Sequence, residues 1–64
     1  MNADQPLAHL VAEARYATDR VALYRQRMYG GNGDARRLAE LERIADGATA
    51  RLAARREADR LAGS

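Results

Sequence analysis

Four consecutive residues, Gly30-Gly31-Asn32-Gly33, decide most of what this chain can fold into. Three glycines and an asparagine all tolerate positive φ, so the backbone can reverse there at little steric cost. On either side lie long stretches rich in Ala, Leu and Arg, the residues that lose least on entering a helix. No Gly or Pro interrupts residues 7–29. The expectation is an all-α, antiparallel two-helix hairpin of coiled-coil character. It forms a single domain, with helix 1 over about 5–29, a turn at 30–33, helix 2 over about 34–60 and a short tail at 61–64.

The apolar residues of the first stretch fall on a heptad grid. Leu7, Ala14, Val21 and Met28 recur at one position, and Leu10, Ala17 and Tyr24 three residues later, with Val11 beside them. That spacing is an a/d seam. A helix of about 24 residues would be near 36 Å long at 1.5 Å per residue. Asn2 and Asp4 are suitable N-caps, Gln5 completes a capping box with Asn2, and Pro6 fits a first turn. Gly30 suits the left-handed position after the helix, and Asn32 or Asp34 can cap the next one.

Leu38, Leu41, Ala45, Ala48 and Leu52 form the matching seam of the second stretch, with Ile44 alongside. Beyond Leu52 the seam positions are Arg55 and Asp59, so residues 56–64 are expected to fray or to pack only on a partner. Reversal at Gly31-Asn32 sets Tyr24 against Leu41, Val21 against Ile44 or Ala45, Ala17 against Gly47 or Ala48, and Ala14 near Leu52. Gly47 either permits close helix approach or is a tolerated defect, costing about 1 kcal/mol relative to Ala in a helix interior.

A chain of 64 residues with no Cys and one His cannot brace a small core with disulfides or a thiolate or histidine-rich metal site. Oligomerisation or a partner protein is the remaining support. His9, Tyr16 and Leu23, spaced by seven, lie off the main seam of helix 1, and Ile44 and Leu61 flank that of helix 2. These five residues are the expected interaction surface. Two hairpins joined through it as a homodimer would make a four-helix bundle.

All eleven basic residues are Arg, against nine acids. Residues 20–37 hold Arg20, Arg25, Arg27, Arg36 and Arg37 against Asp34 alone, a local charge of +4; the remainder carries −2. Arg25, Arg27, Arg36 and Arg37 with Tyr29 could therefore contact an anion, because Arg binds phosphate bidentately and Tyr stacks on bases.

Other chemistry finds little footing. His9 and Glu13, four apart, could form a pH-responsive contact or supply two metal ligands in a dimer. Glu40, Glu42 and Asp46 lack the His of a di-iron motif and sit among arginines at ion-pair spacing. The glycine run is no Walker loop, since Lys-Ser/Thr is missing. Tyr29-Gly30-Gly31-Asn32-Gly33 resembles a glycine-rich stretch of acyl-CoA dehydrogenases, but the likeness covers five residues and carries nothing further. Met1–Gln5 lacks the charge and apolar run of a signal peptide, and no apolar run reaches membrane-spanning length. The expected protein is a cytoplasmic, non-enzymatic interaction module that self-associates or docks on a larger protein. It would use no cofactor, small-molecule substrate or membrane. A nucleic-acid-binding or regulatory hairpin is the alternative.

Overall fold

The computed structural model describes residues 5–63. Two helices, α1 (Leu7–Tyr29) and α2 (Ala35–Ala62), pack against each other as an antiparallel hairpin 49 Å long. The proposed caps Asn2 and Asp4 lie outside the described residues. Pro6 itself takes the N-cap position with extended backbone, and its carbonyl accepts from the N–H groups of His9 and Leu10. Helix 1 thus starts two residues later than its sequence suggested.

The turn is closed by a Schellman motif. The Gly31 N–H donates to the Met28 carbonyl at 3.0 Å, and the Asn32 N–H to the Arg27 carbonyl at 2.9 Å. Gly31, not Gly30, is the left-handed residue, with φ +82°, while Gly30 remains at φ −83°. Four permissive residues in a row hide which one turns. Gly33 serves a different need: a Cβ there would collide with the Met28 side chain and stand 3.2 Å from Met28 Cα. Asp34, rather than Asn32, caps α2 by accepting from the Arg36 N–H at 3.0 Å. The Asp34 N–H in turn donates to the Tyr24 hydroxyl at 2.8 Å, tying the end of the turn back to α1.

The seam follows the heptad reading except at its first position, Leu7, which is 37% exposed and outside the core. Ala14, Ala17 and Val21 of α1 bury against Leu41, Ala45 and Ala48 of α2, with Tyr24, Leu38 and Leu52 packed around them. Ile44 takes no part in this core and is 53% exposed, so Val21 has Ala45 as its partner rather than Ile44. Of the seven buried core residues, four are alanines, and no large side chain among the described residues is fully enclosed. So thin a core buries little apolar surface, and apolar burial is what stabilises a helix pair. Gly47 is not demanded by close helix approach: a Cβ would find only Arg51 Nη1, at an ordinary 3.5 Å.

α2 runs on past residue 56. It stays helical to Ala62 and is capped by Gly63, although residues 56–62 are exposed throughout. Arg55, at the failing seam position, is half-buried. It donates to the Gln5 carbonyl at 2.5 Å and pairs with Asp59 at 3.1 Å, strapping the start of α1 to α2.

Candidate interaction surface

An a/d seam covers one side of each helix, and residues a quarter-turn away from it line the rims of the cleft between them. On one side of the seam those rim residues are Glu13, Tyr16 and Arg20 from α1 and Ile44 and Arg51 from α2, which together line a groove. A second groove, toward the turn, is lined by Arg20, Leu23, Arg27 and Arg37. Arg20 and Leu41 belong to both, so the two run into one another. The result is one continuous face carrying three exposed apolar side chains: Tyr16 at 65%, Leu23 at 63% and Ile44 at 53% exposure.

The same face is cationic. Arg20, Arg27, Arg37 and Arg51 line it against the single acid Glu13. Arg37 is engaged by Glu40 at 2.9 Å. The Arg20 guanidinium stands over the Tyr16 ring, 5.8 Å from its centroid, within cation–π range. Both arginines on α1 follow an apolar residue by four, Tyr16–Arg20 and Leu23–Arg27, which places each pair on one helical face. That spacing is legible in the sequence, yet Arg20 and Arg51 stood outside both expected site sets.

The five expected interaction residues are therefore divided. Tyr16, Leu23 and Ile44 come together. Exposed His9 lines neither groove and makes no hydrogen bond or ion pair with Glu13. Leu61, 62% exposed, sits in the last turns of α2, on the part that runs beyond the Gln5–Arg55 contact. The expected anion set divides too. Arg27 and Arg37 join the apolar face. Arg25 lies across the seam in a groove with Thr18, Val21 and Asp46, where Glu42 holds it at 2.6 Å. Tyr29, 87% exposed, and Arg36, at the start of α2, line neither groove of the cationic face. Glu40 pairs with Arg37 at i, i+3, and Arg55 with Asp59 at i, i+4.

Tyr16 also borders a strip on the outer side of α1 formed by Leu7, Ala8, Val11 and Ala12, bearing one charge of each sign, Arg15 and Asp19. The hydroxyl of Thr18 is spent on its own helix, donating to the Ala14 and Arg15 carbonyls at 3.0 Å. Among the described residues no three His, Asp or Glu side chains gather as a metal ion would require, and no helix is long and apolar enough to cross a membrane. Compared with known proteins, the chain matches no family model, no curated protein and no solved structure.

Proposed function

We propose that this hairpin is a small, non-enzymatic protein-interaction module that covers its Tyr16–Leu23–Ile44 face with helix from another chain. One observation carries the reading. Three large apolar side chains are more than half exposed on a single face, while the core behind them is mostly alanine. A molecule so lightly packed gains more from covering that face than from any contact it makes alone. The covering helices could come from a second hairpin, completing a four-helix bundle, or from a larger protein. The neutral outer strip of α1 offers a further place for a second copy.

Sedimentation equilibrium combined with thermal melts over a hundredfold range of concentration tests the reading. The expected result is a marginally stable chain whose Tm rises with its own concentration or with an added helical partner. A highly stable monomer, indifferent to concentration and unchanged by Leu23→Ser with Ile44→Ser, would overturn it.

A second reading, binding of nucleic acid, draws on Arg20, Arg27, Arg37 and Arg51 lying on one face. It is the weaker one, since aliphatic Leu23 and Ile44 lie among those arginines and offer no surface for base stacking.

A further inference from the structure

We infer that the cationic groove receives an acidic amphipathic helix from a different protein; this rests on the interaction-module reading and names the partner's chemistry. From Glu13 to Arg27 the groove follows α1 for four turns, about 21 Å at 1.5 Å per residue. An occupant helix of similar length would lie alongside it.

Two properties of the face restrict what can fill it. Tyr16, Leu23 and Ile44 need an apolar counterpart to leave water. Arg20, Arg27 and Arg51 have no carboxylate partner among the described residues, so whatever covers them must bring negative charge. Charge complementarity then separates the candidates. A second copy docked by this same face across a two-fold axis would set four arginines against four, with only Glu13 and the Arg37-bound Glu40 on each side to offset them. A nucleic acid would supply the anions but leave Leu23 and Ile44 facing sugar and phosphate, and one face of the Tyr16 ring already carries Arg20. A helix with apolar residues at i, i+4 and i+7 and acids on its flanks meets both requirements together.

The test uses the full chain and a fluorescently labelled 18-residue peptide with leucines at that spacing and glutamates at the flanking positions. Anisotropy titrations at low and high salt are run beside three other probes: the same peptide with lysine for glutamate, polyglutamate, and a single-stranded oligonucleotide. The expected result is saturable binding of the acidic amphipathic peptide alone. It should weaken by about tenfold or more with Arg20→Glu and Arg27→Glu together, and by a comparable factor with Leu23→Ser and Ile44→Ser. Raising the salt should weaken it further. Circular dichroism confirms that each variant keeps its helices, and Arg43→Glu, at an exposed position that lines neither groove, serves as a control that leaves binding unchanged.

Equal binding of the lysine peptide, or of polyglutamate, would overturn the inference, as would preferential binding of the oligonucleotide. If no peptide binds but the chain dimerises, and Leu23→Ser with Ile44→Ser abolishes the dimer, the inference fails while the interaction-module reading stands. If neither peptide binding nor association occurs, both fail.

Discussion

At the closed end of the hairpin, between Tyr24 and Arg36, nearly every backbone choice is fixed by a specific contact: a Schellman turn through Gly31, Met28 against Gly33, the Asp34 cap and the Tyr24 hydroxyl. At the open end, α2 runs past α1, and the hydrogen bond that joins the two is one guanidinium on one carbonyl, Arg55 to Gln5. The core cluster lies between Ala14 and Val21 on α1 and between Leu41 and Ala48 on α2; toward the open end Leu10, 4% exposed, is buried outside that cluster and Leu52 is half-buried. The difference teaches where this fold is specified. The turn sets the register, and the rest of each helix inherits it.

That contrast is open to attack by substitution. Leu41→Ala, at a position 4% exposed in the cluster, should cost about 3 kcal/mol in urea melts, whereas half-buried Leu52→Ala should cost about 1 kcal/mol. Equal losses would erase that difference. Next in size come the turn glycines. Gly31→Ala forces a side chain into the left-handed region at φ +82° and should lose about 1–2 kcal/mol. Asp34→Ala removes the cap of α2 and should lose about 1 kcal/mol, and its effect should not add simply to that of Tyr24→Phe, because both groups hold the same residue. Gly47→Ala should act with the opposite sign, stabilising by about 0.5–1 kcal/mol, because the site has room for the methyl group. Smallest is Leu61→Ala, expected to change the stability of the isolated chain by less than about 0.5 kcal/mol. A larger loss in Tm would show that the end of α2 packs against something.

Much of the hairpin could be read from residue spacing, because a seam needs only the periodicity of one helix at a time. Leu38, Leu41, Ala45, Ala48 and Leu52 behave as their positions required. What spacing could not supply was anything that depends on the rotation of one helix relative to the other. Ile44 flanks its own stripe in sequence, and only the pairing of α1 with α2 shows that it faces Tyr16 instead of Val21. The same rotation brings Arg51 into the groove that Arg20 lines and carries Arg25 to Glu42 on the far side. The turn failed differently. Gly30, Gly31 and Gly33 are interchangeable by conformational preference, and only the hydrogen bonds and the Met28 contact give each its separate role.

The Tyr24 hydroxyl has a consequence in time as well as in space. Its bond to Asp34 joins residues ten apart in the chain, while Arg55 and Gln5 are separated by fifty. Loops of about ten residues close in tens of nanoseconds, and helical folds dominated by such local contacts form in microseconds to milliseconds. The chain should therefore zip from the turn outward and reopen from its termini, many times within the life of a single molecule. The groove formed by Glu13, Tyr16, Ile44 and Arg51, farther from the turn, would then form after the one formed by Leu23, Arg27 and Arg37.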